Sequence, residues 1–312
     1  MIWLMWRQHR AEAVALGLFL AALGTILVIG ALPMHASFRN DGVADCLARG
    51  TPFSDTCVEV MARFGGEYGG RGALLPLLGI IPFAIGGFLG SSLLARELEA
   101  GTWQLAWTQA VPRMRWLAVK LVTLVGVTIA LAGALAAVTT WYRGPLDAIG
   151  GRFESTFDIE GVAPPAYAAF AFATAAAGGL LLRRSLPALA AAFVAFLAVR
   201  AGVSIWARPN YQRPVTTNQD VSNPHDWLLD TGLVDGSGHH LTFAEENAMA
   251  NAARNANMDL TGYLDSHGVA RWDTYQPGDR FWTFQLIESA IFVAVAAALI
   301  VMVAWRVRRR AL

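Results

Sequence analysis

Charged side chains are scarce in this chain. They make up 15% of its 312 residues, whereas hydrophobic residues make up 55%. A soluble protein needs more polar side chains than this to cover its surface, so the composition excludes an ordinary soluble domain. It predicts instead a protein that crosses a membrane several times.

Lysine is almost absent, because Lys120 is the only one in the chain and Leu121 follows it. A phosphate-binding P-loop needs a glycine-rich run that ends in Lys followed by Ser or Thr. The sequence contains no such run and therefore predicts no ATPase site of its own. We also expect no bound cofactor.

The residue patterns of catalytic and metal sites are missing as well. His239 and His240 are neighbours in a glycine-flanked stretch, while His225 and His267 are distant from them in the sequence. This arrangement is too sparse for a zinc site, and no Ser-His-Asp or Cys-His spacing stands out. We therefore expect neither an enzyme nor a metal site, and nothing indicates a nucleic-acid partner.

Long hydrophobic runs are what the chain has in abundance. A helix needs about 20 apolar residues to cross roughly 30 Å of hydrocarbon. Six segments have about that length, at residues 13–32, 73–94, 116–141, 166–182, 186–206 and 281–305. They predict an all-α integral membrane protein with a single transmembrane domain over residues 1–312. A large outer loop at residues 207–280 separates the last two spans.

The basic residues predict the orientation of these spans. Lys and Arg in short loops next to spans are retained in the cytoplasm. With an even number of spans both termini lie on one side, and twelve basic residues share that side. They are Arg7, Arg10, Arg96, Arg113, Arg115, Lys120, Arg183, Arg184, Arg306, Arg308, Arg309 and Arg310. We therefore expect both termini in the cytoplasm.

Only two cysteines are present, Cys46 and Cys57, and both fall in the first outer loop. An oxidising compartment would permit a disulfide between them. Two free thiols are the alternative, and the sequence leaves both open.

The loop at residues 207–280 contains turn signals and one predicted helix. Thr242 and Glu245 have the spacing of a capping box and precede an alanine-rich run that extends to about Met258. We expect a small ordered cap at this point rather than a linker.

Two ionisable residues fall inside predicted spans, Arg200 in the fifth and Glu288 in the sixth. Such residues are costly in a membrane unless they are paired or face water. Both lie near the outer ends of adjacent antiparallel helices, so the geometry permits a mutual ion pair that acts as a gate. The alternative is that both side chains extend toward the headgroups.

Small residues in the second span predict a close helix contact. Gly86, Gly87 and Gly90 would let a neighbouring backbone approach. That neighbour is either another helix of the same chain or a helix of a second copy.

The segment from residue 95 to 120 interrupts the hydrophobic pattern between the second and third spans. Thr102 is the predicted N-cap of a short helix from Trp103 to Ala110, which stops before Pro112. Tryptophan and arginine in this segment favour the headgroup region. We expect two short helices joined at an elbow on the inner membrane surface. A loop that only rests on lipid is the alternative.

This segment resembles the permease subunits of ABC-2 type ATP-binding-cassette exporters. In that family the loop after the second span typically reads Arg-Glu-x-x-x-Gly-Thr, then Leu, then Pro-x-Arg or a close variant, then Lys at the start of the third span. The matching positions here are Arg96, Glu97, Gly101, Thr102, Leu105, Arg113 and Lys120. Pro112 stands directly before Arg113, which departs from the commoner spacing. An actinobacterial subgroup of the family is resembled at further positions: Trp6, Arg7 and Arg10 before the first span, Trp107-Thr108-Gln109 in the elbow, and Tyr275-Gln276-Pro277 with Arg280-Phe281-Trp282 before the sixth span.

The resemblance implies an exporter permease in the bacterial cell membrane, driven by ATP hydrolysis in a separate ABC ATPase subunit. Contact with that subunit would fall on Arg96, Glu97, Gly101, Thr102, Leu105 and Arg113. A second permease is also implied, either an identical copy or a sister chain, within the lipid bilayer. The cavity would be lined by spans two and five, whose phenylalanines indicate a hydrophobic or amphipathic substrate: Phe83, Phe88, Phe193 and Phe196. A membrane sensor or anchor, whose outer loop binds a ligand or a protein, is the alternative function.

Overall fold

The computed structural model describes residues 2–49, 54–70, 75–99, 113–218 and 223–309. In chain order, its helices and strands are α1 (Ile2–Asn40), α2 (Val43–Ala48), α3 (Asp55–Gly69), α4 (Ile81–Glu99), α5 (Arg113–Asp147), α6 (Arg152–Ser155), α7 (Ala163–Leu182), α8 (Ser185–Gly202), β1 (Val215–Thr217), β2 (Trp227–Val234), α9 (Phe243–Asn255), α10 (Leu260–Ser266), β3 (Ala270–Gln276) and α11 (Phe281–Arg309). Short 3-10 helices cover Leu75–Ile80, Arg208–Asn210 and Gly278–Arg280, and a π-helix covers Val203–Ala207.

Five helices in these ranges are long and apolar enough to cross a bilayer. They cover Ala13–Asn40, Met114–Asp147, Ala163–Leu182, Ser185–Asn210 and Gly278–Arg309. Each overlaps one of the six predicted spans and extends beyond it. The remaining predicted span, at residues 73–94, meets a shorter apolar helix at Leu77–Leu93. The 3-10 helix Leu75–Ile80 is followed directly by α4, which begins at Ile81.

Helix α7 is the centre of the bundle. Helices α4, α5, α8 and α11 all pack against it, and most of its residues are buried. Its many alanines allow neighbouring backbones to approach closely. A Cβ added to Gly86 would lie 2.0 Å from Ala168 O, and one added to Gly90 would lie 2.3 Å from Phe172 O. The sequence left open whether these glycines contact a helix of the same chain or a helix of a second copy. In the structure Gly86 and Gly90 contact α7 of the same chain.

The connections between the helices gather at two ends of the bundle. At one end, the backbone N–H of Gly151, after α5, donates to Pro224 O at 3.0 Å. We call this the cap end. At the opposite end, Leu93 of α4 packs in one hydrophobic cluster with Leu117 of α5 and Val307 of α11. Successive long helices thus run in opposite directions.

A short helical pair, α2 and α3, lies between α1 and α4 at the cap end. A disulfide joins Cys46 of α2 to Cys57 of α3, and both residues are buried. Phe64 and Tyr68 of α3 pack in a hydrophobic cluster with residues of α1 and α5. The sequence left open whether these two cysteines are bridged or are free thiols, and in the structure they form a disulfide.

The cap, defined as residues 211–277 without 219–222, contains a three-stranded antiparallel sheet in the order β1-β3-β2. This sheet corrects the expected all-α fold. Its strands pair across long stretches of chain, as Thr216 does with Thr274, so no hairpin turn marks them in the sequence. Helix α9 begins at the capping box: Thr242 N donates to Glu245 Oε2 at 2.7 Å, and Glu245 N donates to Thr242 Oγ1 at 3.4 Å.

Candidate functional site

Four charged side chains meet at the cap end of the bundle. Arg200 belongs to α8, Arg208 to the 3-10 helix that follows, Glu288 to α11, and Asp158 to the loop between α6 and α7. The exposed fraction of the side chain is 1% for Glu288, 7% for Arg208, 16% for Arg200 and 32% for Asp158. Their formal charges cancel, and buried charges are tolerated when they are paired in this way.

Arg208 and Glu288 are joined by two hydrogen bonds. Arg208 Nη2 donates to Glu288 Oε1 at 2.7 Å, and Arg208 Nε donates to Glu288 Oε2 at 2.8 Å. Such two-point contacts between a guanidinium and a carboxylate are strong and directional. Arg208 Nη2 also donates to Asp158 Oδ1 at 2.6 Å, and the guanidinium carbon lies 4.0 Å from the centroid of the Phe157 ring.

Two tyrosines add hydrogen bonds to the carboxylates. Tyr167 OH lies 2.6 Å from Glu288 Oε1 and 3.1 Å from Asp158 Oδ1. Because a hydroxyl carries one hydrogen, Tyr167 donates to one of these carboxylates at a time. Tyr211 OH donates to Glu288 Oε2 at 3.1 Å. Burial raises the pKa of Tyr211 and the charge of Glu288 raises it further, so this hydroxyl stays a donor at neutral pH.

Arg200 has a different partner from the one that its position in the sequence suggested. Its Nη2 lies 2.7 Å from Asp158 Oδ2, and its Nη1 donates to Gly79 O at 2.5 Å. Arg200 and Glu288 therefore do not pair with each other. Glu288 pairs with Arg208, Arg200 pairs with Asp158, and Asp158 joins the two pairs.

The end of α8 explains why Arg208 reaches inward. The helix passes into the π-helix Val203–Ala207 and then into the 3-10 helix Arg208–Asn210. A π turn holds more residues than an α turn and so changes the face on which the following side chains lie. Neither Arg208 nor Asp158 was predicted as a site residue, since neither lies in a predicted span. The sequence did indicate that further charged residues must lie nearby, because Arg200 and Glu288 each need a partner inside a membrane span.

Asp158 stays ionised in this setting. Burial raises the pKa of its carboxyl, but the charges of Arg208 and then Arg200 more than reverse this effect, so the pKa lies below its usual value. The carboxylate also borders a cleft of about 520 Å³. The cleft is lined by Leu77, Gly79, Ile80, Asp158, Leu197, Arg200, Ala201 and Ser204. It thus combines apolar walls with one ion pair.

A second group of buried charges lies in the same loop region. Arg143 Nη2 is 3.1 Å from Asp147 Oδ1, and Arg152 Nε is 3.5 Å from Glu160 Oε2. The Glu160 carboxyl also accepts a hydrogen bond from Thr156. Burial raises the pKa of Glu160 to about 8, with a further contribution from the charge of Asp147. Most of this carboxyl is therefore protonated at neutral pH.

These groups can hold helices together and bind a charged partner. Within the described ranges, no three side chains of His, Cys, Asp or Glu are grouped so that they could hold a metal ion. The carboxylates of the network are paired with arginines and tyrosines, which suits binding and conformational coupling rather than acid–base chemistry.

Three of the six predicted coupling residues belong to the opposite end of the bundle. Arg96 and Glu97 lie near the end of α4, and Arg113 is the first residue of α5. The other three, Gly101, Thr102 and Leu105, fall outside the described residues, and so does the predicted elbow.

Lys120 fastens α5 to α4 close to that segment. Its side chain is buried, and Nζ donates to Leu93 O at 3.4 Å. The same Nζ lies 4.6 Å from the centroid of the Trp116 ring. The two helices that flank the predicted elbow are therefore joined about two turns away from it.

The long apolar helices and the buried charge network define the class of protein, a multi-pass membrane protein. A family model described as "ABC-2 membrane transporter related" matches residues 17–208, which is more than half of the chain. The chain belongs to this family and is a permease of the ABC transporter type. The matched region includes Asp158, Arg200 and Arg208 but ends before the cap and α11. The chain matches no curated protein and no solved structure.

Proposed function

We propose that the chain is the transmembrane permease subunit of an ABC exporter. It moves a hydrophobic or amphipathic substrate outward across the bacterial cell membrane, and a separate subunit hydrolyses ATP. The observation that carries the proposal is the family match over residues 17–208. The single lysine, which excludes a P-loop in this chain, supports a separate ATPase.

In the proposed orientation the cap end faces outward, both termini lie in the cytoplasm and α4 serves as a sixth span. Five arginines at the opposite end support this assignment, because basic residues are retained in the cytoplasm. They are Arg183 and Arg184, between α7 and α8, and Arg306, Arg308 and Arg309, in the last turn of α11. A disulfide at the cap end agrees with an oxidising exterior.

Force from the ATPase enters, in this proposal, through the segment between α4 and α5. The segment follows Glu99 and precedes Arg113, so both of its ends continue directly into long helices. Helix α4 contacts α7 backbone to backbone at Gly86 and Gly90. Close-packed interiors transmit strain because they compress little. A displacement of α4 therefore carries the central helix with it.

The functional unit contains two permease chains and two ATPase subunits. The second permease is either an identical copy or a sister chain. Lipid surrounds the apolar faces of the bundle, where Leu18, Ile26 and Val194 are largely exposed in the isolated chain.

Purification from membranes of the native host tests this function. A tagged full-length chain, extracted in mild detergent, should retain a P-loop ATPase in stoichiometric amount, and the reconstituted complex should show ATP-driven transport. An unrelated tagged membrane protein from the same host is the control. A sensor or anchor predicts a ligand or protein bound at the cap and no ATPase. Recovery of abundant folded chain without any ATPase would reject the exporter.

A further inference from the structure

The cleft at the cap end contains a carboxylate with room for one more hydrogen bond. Asp158 Oδ1 accepts from Arg208 Nη2 at 2.6 Å and from Tyr167 OH at 3.1 Å, and Oδ2 lies 2.7 Å from Arg200 Nη2. Tyr167 donates here only when it is not bonded to Glu288, so Asp158 has at most three donors within the described residues. A carboxylate has about four acceptor positions. With 32% of its side chain exposed, Asp158 is accessible to a donor in the cleft.

Arg200, the other charged residue of the cleft, is more fully occupied. Its Nη1 donates to Gly79 O and its Nη2 pairs with Asp158. Its guanidinium carbon lies 4.8 Å from the ring centroid of Tyr167 and 5.6 Å from that of Phe196. An anionic ligand would have to draw Arg200 away from Asp158. A cationic donor can add to the carboxylate while Arg200 stays in place.

The walls of the cleft offer apolar surface to the rest of a ligand. Leu77 and Ile80 line one side, and Leu197 and Ala201 line the other. A cavity of about 520 Å³ lies within the usual range of small-molecule sites. Leu77 is 68% exposed and Leu197 is 42% exposed, so an alkyl chain longer than the cleft can extend past its edge.

We propose that this cleft binds an amphiphile with a primary ammonium group, which donates to Asp158 while its alkyl chain lies against Leu77, Ile80 and Leu197. The inference rests on the proposed exporter function and names the substrate class for it. Two properties select this ligand. The ammonium supplies both the missing hydrogen bond and a charge opposite to that of the carboxylate. A carboxylate headgroup has no proton to donate to Asp158, and an uncharged amide N–H makes a weaker hydrogen bond to a carboxylate than an ammonium does.

Photolabelling of the full-length chain in lipid nanodiscs tests the site. The probe is a dodecylammonium with a diazirine in its alkyl chain, compared with the acetamide and the carboxylate of the same chain length. Mass spectrometry should locate the ammonium label within residues 77–80 and 197–204, and excess dodecylamine should suppress it. The two analogues should label these residues about tenfold less, because the carboxylate cannot donate a hydrogen bond and the amide donates one without the assistance of a charge.

Substitutions assign this preference to Asp158. Asp158→Asn should lower labelling by the ammonium probe about tenfold and leave labelling by the acetamide unchanged, because an amide lacks the charge. Asp158→Glu should retain most of the labelling. The matched control is Asp265→Asn in the exposed part of α10, which should behave as the native chain does. Ala201→Phe narrows the cleft without altering the charge network, so it should reduce labelling even if Asp158→Asn fails to fold.

Equal labelling of the cleft by all three probes would overturn the proposal. Unchanged ammonium labelling in folded Asp158→Asn or in folded Ala201→Phe would also overturn it. The measurement needs no ATPase, so it separates two failures. An ammonium-selective cleft in a chain that never purifies with an ATPase supports this site and rejects the exporter function. A chain that purifies with an ATPase but shows no ammonium preference supports the exporter function and rejects this site.

Discussion

Glu288 and Arg208 form a two-point ion pair, with Nη2–Oε1 and Nε–Oε2 distances of 2.7 and 2.8 Å, in which the side chains are 1% and 7% exposed. The pair joins α11, the last helix of the chain, to the end of α8. Burying two charges costs about as much as their attraction returns, so such a pair adds little net stability. Its effect is to determine which helix ends meet, because either charge alone would be left without compensation.

Removal of one partner of this pair should destabilise the protein strongly. We expect Arg208→Gln to lower the free energy of unfolding by about 3–5 kcal/mol, since it leaves Glu288 buried and unpaired. Thermal unfolding in mild detergent measures the change. Arg63→Gln is the control, because Arg63 and Glu59 form a salt bridge whose side chains are 73% exposed, and such pairs contribute little. Equal midpoints for Arg208→Gln and the native chain would contradict the prediction.

The contact between α4 and α7 should not tolerate even one added methyl group. A Cβ at Gly86 would lie 2.0 Å from Ala168 O, which is backbone and cannot move aside. We expect Gly86→Ala to destabilise the bundle by about 1–3 kcal/mol, the usual range for overpacking. Gly126→Ala is the matched control in α5, because nothing lies within 4 Å of its added Cβ. If both variants unfold at the native temperature, α4 and α7 are not packed this closely.

The buried carboxyl of Glu160 should make stability fall as the pH rises. Its pKa is raised to about 8 in the folded protein, first by burial and then by Asp147, from an ordinary value of 4.5. Between these values the folded chain holds a proton that the unfolded chain has released, so the free energy of unfolding decreases with increasing pH.

Thermal unfolding of the native chain at about pH 5 to 8 should show this decrease, and Glu160→Gln should flatten it. Glu59→Gln, at an exposed position of α3, should keep the native slope. Identical slopes for the native chain and Glu160→Gln would mean that Glu160 does not titrate in this range.

Thiol labelling on intact cells tests the orientation of the spans. The two native cysteines are joined in a disulfide and should not react with an impermeant reagent. Ser237→Cys, in the exposed turn after β2, should therefore give a new labelled site. Gln104→Cys, in the predicted elbow, should stay unlabelled until the membrane is permeabilised. Labelling of Gln104→Cys from outside would reverse the proposed topology.

Substitutions in the predicted elbow should uncouple transport from ATP hydrolysis. Gly101→Pro and Glu97→Arg should leave the chain in the membrane at normal abundance, since neither residue is expected to lie in hydrocarbon. Export should fall by tenfold or more (about 1.4 kcal/mol of coupling or above), and retention of the ATPase should fall with it. Glu59→Arg, the same charge reversal at the cap end, is the control. Normal export by both elbow variants would remove the coupling assignment.

Most of the helices could be predicted from the sequence because their cause is local. In hydrocarbon every backbone N–H and C=O must be bonded within its own segment, so apolar runs such as 13–32 and 281–305 form helices wherever they stand. Helix α9 begins at Thr242 for a similarly local reason, since a capping box spans four residues. The family resemblance was also visible in the sequence, because the loop motif between the second and third spans is contiguous.

The partners of the buried charges were decided only by the tertiary structure. Arg200 and Glu288 are recognisable in the sequence as charges that need compensation, but their actual partners are Asp158 and Arg208. Arg208 is 80 residues from Glu288, and it reaches that carboxylate because a π turn rotates the end of α8.

The tertiary structure also decided the pairing of the cap sheet and the contact of the α4 glycines with α7. Long-range contacts of this kind arise when whole helices and strands pack together, and the sequence around one residue does not identify the distant partner that packs against it.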